Sequence, residues 1–146
     1  MAEWTGSCLC GTVRFRLHSE PFDAGWCHCR TCQRNSGAPA MVFATVPLVD
    51  YAIKTGEDAV RKVPSSSFGH RAFCGACGTP LYTHVDHQPD TLDFSVATLD
   101  EPGRVRPGFH IFWSSRVDWL VMDDGLPKFD RFRPNTVGLE GMELPA

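Results

Sequence analysis

The segment Cys27-His28-Cys29-Arg30-Thr31-Cys32 places three thiols within six positions. Cysteines this close together cannot bridge one another without strain. Their spacing suits ligands gathered on a single ion. Three thiolates on a tetrahedral zinc leave its fourth position open, the arrangement of a catalytic site rather than a closed structural one. Cys27, Cys29 and Cys32 are therefore candidate catalytic and metal-binding residues. His28, flanked by two candidate ligands, is expected to turn its ring away from them.

The other four cysteines come in two pairs, Cys8-x-Cys10 and Cys74-x-x-Cys77, each followed by glycine. The second pair has the form of a zinc knuckle, in which the glycine lets the backbone turn and aim its amides at sulfur. Four thiolates make a closed tetrahedral zinc site. Drawn from distant parts of the chain, Cys8, Cys10, Cys74 and Cys77 would tie its beginning to its middle, a link made only on folding. A lone C-x-x-C could be redox-active, and single cysteines are often small buried apolar residues. Here three clusters account for all seven cysteines, and the reading is two zinc ions per chain, one structural and one catalytic.

Short strands must position these ligands. Val13, Phe15 and Leu17 alternate with Thr12, Arg14 and Arg16, the period-two pattern of a half-buried strand. Residues 40–46, AMVFATV, form a β-rich apolar run between two prolines. Leu92, Phe94 and Val96 repeat the alternation, and FHIFW and WLVM are further strand candidates. With 13 Gly and 11 Pro spread along the chain, long helices have no room. A short helix is expected over residues 31–35, stopped by Gly37. The class is mainly β with few short helices, and a small β fold of this kind is helped by a metal staple.

The chain of 146 residues suits one domain with its own core. No apolar run reaches the length of a membrane-spanning helix, and the N-terminus, MAEWTGSCLCG, lacks the features of a secretory signal. The expected location is cytoplasmic, where thiols stay reduced. The formal net charge is −3 without a basic run, so nucleic-acid partners are not expected. Loading seven thiolates with two dications would make the chain more acidic still.

GSCLCGTVRF, CHCRTCQRNSGAPA, FCGACGTPLY, HIFWSSRVDW and DDGLPKF occur in one order along the chain. In this it resembles the glutathione-dependent formaldehyde-activating enzyme family, which includes the centromere protein V type domain. The resemblance covers residues 4–132 as a single zinc domain and leaves 133–146 as a C-terminal tail. It implies a Mss4-like, or β-tent, fold of coiled antiparallel sheets around zinc. It also implies a structural zinc on Cys8, Cys10, Cys74 and Cys77 and a catalytic zinc on Cys27, Cys29 and Cys32. The implied activity is that of a carbon–sulfur lyase acting in reverse, an S-(hydroxymethyl)glutathione synthase that joins glutathione to formaldehyde.

The chemistry of the trio agrees in part. A thiol bound beside zinc loses its proton, and a thiolate adds to an aldehyde carbon. Because three thiolates already donate charge to the ion, delivery of the thiol is favoured over strong polarisation of the carbonyl. Arg30 and Arg34 flank the trio and are the nearest cations for an anionic thiol, although each also reads as a solvated surface side chain. His110 and Trp113 read first as core aromatics. Two other readings remain open: a non-catalytic zinc-stapled binding module, and a thiol or zinc carrier.

Overall fold

The computed structural model describes residues 3–134; most of the expected tail, residues 135–146, lies outside the described residues. The elements run β1 (Trp4–Ser7), β2 (Arg14–Leu17), β3 (Phe22–Cys27), α1 (Arg30–Ser36), β4 (Met41–Pro47), β5 (Tyr51–Thr55), β6 (Val60–Ser66), β7 (Gly69–Cys74), β8 (Pro80–Val85), β9 (Thr91–Ser95) and β10 (His110–Ile111). Strands β1, β2 and β5 form a small antiparallel sheet. The other strands form a seven-stranded sheet in the order β10-β3-β4-β9-β8-β7-β6. It is antiparallel except where β10 pairs parallel to β3. The fold is mainly β, as its alternating apolar segments predict.

The core forms where the two sheets face. Phe15 and Leu17 of β2 pack with Tyr51 of β5 against Ala44, Val46, Leu92 and Phe94 of the large sheet. Phe15 stacks on Tyr51 at 4.6 Å between ring centroids. Burying side chains of this size stabilises the fold by about 1.5–3 kcal/mol each. Because strand side chains alternate, the residues between these core positions emerge on the opposite face of the large sheet. On β4 they are Met41, Phe43 and Thr45, and on β9 they include Asp93. That second face carries the site.

The FHIFW candidate contracts to the two residues of β10. WLVM is not a strand: Asp118 and Trp119 form a turn and the chain continues irregularly. Trp119 and Val121 are largely exposed, and they pair with no strand among the described residues. The helix forms as expected, one residue longer at each end, and stops at Gly37 in the left-handed conformation (φ 68°).

Candidate functional site

The structure brings the seven cysteines together as two groups. In each, the sulfurs lie within 4.8 Å of one another, close enough to hold a metal ion. None is in a disulfide.

Cys8 and Cys10 lie in the turn between β1 and β2, in the small sheet. Cys74 ends β7, and Cys77 lies in the turn to β8, in the large one. The group thus joins the two sheets. Gly78, at φ 83°, takes a conformation that side chains resist, and its N–H donates to Cys74 O at 2.7 Å. Sulfurs also receive polar support. The Val13 N–H donates to Cys8 Sγ at 3.2 Å, and Cys77 Sγ lies 3.2 Å from Thr79 Oγ1. The Thr79 contact holds the Cys77 thiol down to about 5, while burial pushes Cys74 up to about 11.

The second group is local. Cys27 ends β3, Cys29 caps α1 and Cys32 lies in its first turn. The Cys32 N–H donates to Cys29 Sγ at 3.2 Å, and the Cys27 thiol donates to the same sulfur at 3.4 Å. These contacts hold Cys29 far below the usual thiol range and push Cys27 well above it. Left alone, the trio shares its protons; three adjacent thiolates need a cation. A tetrahedral ion with bonds of about 2.3 Å sets sulfurs about 3.8 Å apart. The contacts of 3.4 Å in the trio and 3.6 and 3.9 Å in the quartet are close to that spacing. Both donor sets fit zinc.

The Cys27–Cys29 segment is clamped from its far side. Asp124 Oδ2 lies 2.7 Å from His110 Nε2, and His110 Nδ1 lies 2.8 Å from His28 Nε2. A carboxylate accepts from Nε2–H, so His110 Nδ1 is left to accept from His28 Nε2–H. Both rings are fully buried. Desolvation, with help from His110 and Arg116, lowers His28 to about 4, so it is a neutral prop at pH 7. Its carbonyl accepts from Gln33 Nε2 at 2.7 Å. His28 therefore does turn away from the neighbouring cysteine sulfurs, towards His110. Asp124 arrives because residues 127–131 run beside residues 110–113, with Pro127, Phe129 and Arg131 carbonyls accepting from the His110, Trp113 and Phe112 amides.

The trio opens into a cavity of about 280 Å³. Every strand of the large sheet contributes to its wall, from Ile111 on β10 to Ser65 and Ser66 on β6. Met41, Phe43, Phe68, Phe112 and Phe132 make most of it apolar. No cysteine of the quartet lines it. Two charged groups do. Arg71 is buried, and its Nη2 donates to Cys32 Sγ at 3.4 Å. Asp93 accepts from Thr45 Oγ1 at 2.7 Å. Arg71, Thr83, Asp93 and Thr45 form one cross-strand row along the wall.

Burial raises Asp93 to about 6, with Asp23 adding to the shift and Thr45, Arg71 and His84 opposing it. A raised carboxyl holds its proton longer in the folded chain than in the unfolded one. The folded state therefore loses stability as pH rises from about 4 to about 6, by roughly 2–3 kcal/mol. Asp93→Asn keeps the Thr45 acceptor and avoids this loss. Its melting temperature should exceed that of the parent at pH 7, and the gap should narrow towards pH 5. Equal gaps at both pH values would contradict a raised carboxyl.

Arg71, Asp93 and Asp124 were not among the expected site residues. The alternation of Leu92 and Phe94 puts Asp93 on the face away from the core, but nothing local says that this face is a cavity wall. Arg30 and Arg34 border a neighbouring cleft.

A family model described as glutathione-dependent formaldehyde-activating enzyme matches residues 3–115. An uncharacterised lyase of Schizosaccharomyces pombe is 37% identical over 82 residues, 56% of this chain and 58% of that protein. A Halomonas elongata protein provisionally named a glutathione-dependent formaldehyde-activating enzyme is 25% identical over 129 residues, covering 81% of this chain and 80% of its own. A crystal structure of a Rhodobacter sphaeroides protein shares the fold, with a TM-score of 0.59 and 23% identity over 86% of this chain and 98% of that one.

Proposed function

The chain belongs to the glutathione-dependent formaldehyde-activating enzyme family, and from that premise we propose that it is a zinc-dependent carbon–sulfur lyase-type enzyme joining a thiol to an aldehyde. Glutathione and formaldehyde are the pair implied by the family name. In this reading Cys8, Cys10, Cys74 and Cys77 hold a structural zinc, and Cys27, Cys29 and Cys32 hold a catalytic one, in a cytoplasmic protein whose thiols stay reduced. One observation carries it: the three-sulfur group opens into a largely apolar cavity, and the four-sulfur group does not line that cavity.

Cys27, Cys29 and Cys32 would hold the zinc, and the chemistry it would supply there is stabilisation of a substrate thiol in its thiolate form. The chain's own residues do the rest. Arg71 offsets the charge gathered on Cys32. The aromatic wall excludes water, which would otherwise hydrate the aldehyde. Asp93 is the carboxylate facing the chamber, and its Oδ atoms can take up the thiol proton at neutral pH. The thiolate sulfur then forms a bond to the aldehyde carbon. The carbonyl π pair moves to oxygen, which recovers the proton, so no redox partner is needed. The fully buried His28 and His110 hold the Cys27–Cys29 segment in place.

Protein purified without chelator should contain about two zinc ions per chain. It should also accelerate exchange between glutathione and formaldehyde, measured by NMR line exchange, above the spontaneous rate. A metal content near zero with intramolecular disulfides would overturn both sites. Two zinc ions without acceleration for any thiol–aldehyde pair would favour the binding-module reading.

A further inference from the structure

The chamber beside the three-sulfur group is far larger than the smallest aldehyde. An apolar cavity of about 150 Å³ takes up benzene, and this one measures about 280 Å³. At the same filling it accommodates about ten carbon atoms, whereas formaldehyde brings a single carbon. Water left in the remainder would face Met41, Phe43, Phe68, Val85, Phe112 and Phe132, whose side chains offer it no hydrogen bonds.

The wall is shaped for apolar contact. Phe112 has φ 54°, a left-handed conformation that bulky side chains resist. Its N–H donates to Arg131 O at 3.0 Å, and its ring meets the Phe132 ring edge-on at 4.9 Å. Such local strain persists only where the surroundings fix it, and it gathers around ligand sites. Phe68 reaches the same cavity from the turn between β6 and β7, where its N–H donates to Ser66 Oγ at 3.3 Å. Met41 adds an unbranched side chain that adapts to what it touches. The charged lining residues are already engaged, Arg71 with Cys32 Sγ and Asp93 with Thr45 Oγ1. A peptide body such as that of glutathione carries amides and carboxylates. Against these rings it would lose its hydration and gain few hydrogen bonds in return. The group that suits the wall belongs to the other reactant.

We propose that the chamber is the subsite for an apolar aldehyde substituent, so that the carbonyl partner is an aliphatic or aromatic aldehyde of up to about ten carbons. The addition itself is unchanged: sulfur bonds to the carbonyl carbon, and the thiol proton passes to its oxygen. The identity of the reacting ends rests on the thiol–aldehyde reading, but occupancy of the chamber can be measured without any reaction.

The zinc-loaded full chain is titrated calorimetrically with S-methyl-, S-butyl- and S-hexylglutathione. All three are unreactive thioethers. The first has the skeleton of a formaldehyde adduct, and the last that of a six-carbon aldehyde adduct. Affinity should rise about two- to fourfold with each added methylene, hence about thirtyfold or more from methyl to hexyl. Phe68→Ala and Phe132→Ala lie in a turn and an irregular segment, and each should cut that rise by about tenfold, with circular dichroism unchanged. Trp119→Ala, at an exposed position outside the chamber, should leave the rise intact. A flat series, a rise that survives both wall variants, or a rise lost in Trp119→Ala overturns the subsite even if glutathione–formaldehyde exchange is accelerated. A rise that either wall variant diminishes, with Trp119→Ala unaffected, supports it even if no exchange is detected; only the reaction is then lost.

Discussion

Cys74→Ser is expected to leave the chain unfolded or insoluble. Cys74 is fully buried and belongs to the group joining the β1–β2 turn of one sheet to the β7–β8 turn of the other. In zinc-finger peptides the binding of a structural zinc contributes about 10–16 kcal/mol to folding. A domain of this size is stable by about 5–15 kcal/mol in total. Losing one thiolate of four therefore removes an amount comparable to the whole stability. The replacement also leaves a hydroxyl among Cys8, Val13 and Leu81, an apolar neighbourhood. Soluble yield, circular dichroism and zinc content read the result. A soluble Cys74→Ser chain with a parent-like melting temperature would mean that the quartet is not the structural staple.

Cys29→Ser should behave in the opposite way. Its ligand group spans six consecutive residues, so binding there closes almost no loop and restrains little of the unfolded chain. Serine is also a good helix N-cap and can take over the contact that Cys29 Sγ makes with the Cys32 N–H. Fold and melting temperature should stay within a few degrees of the parent. Zinc content should fall from about two to about one per chain, and acceleration of thiol–aldehyde exchange should drop by at least about a hundredfold, the scale of a lost electrostatic contact at a reacting centre. A variant that keeps both zinc ions and full activity would remove the trio from the chemistry.

The trio and the two cysteine pairs were readable because spacing within each is a local property, and the joining of the pairs followed from the division of seven cysteines into four and three. The cores of β2 and β9 were readable because alternation against one buried face leaves a plain period of two, and β4 because its β-rich apolar run stands between two prolines. β6 was not: it is an edge strand, mostly exposed, and interrupted by Pro64. β3 was hidden by Gly25, which its packing requires, since a Cβ there would meet the Phe109 ring at 2.5 Å. The chamber escaped for a different reason. Arg71 and Asp93 lie on separate strands and meet only through the registers of β7, β8 and β9, which no local pattern encodes. WLVM had the composition of a strand, but β-propensity has no effect without a neighbouring strand to pair with.

The chamber wall draws on all seven strands of one sheet, from Cys27 to Ile111 in the chain, and beyond them on Phe132. If the chamber receives the substrate as proposed, its preference is not a portable segment. Grafting one loop from a relative would import a fragment of the wall and leave its opposing residues unchanged. The three-cysteine group is the reverse, since it lies in a single hexapeptide. Such a fold can keep its cysteine hexapeptide fixed over long divergence while many small, dispersed substitutions reshape the chamber beside it. Two relatives with matching cysteines can then differ in substrate, and identity across the wall positions would be a better guide to shared specificity than identity across the motif.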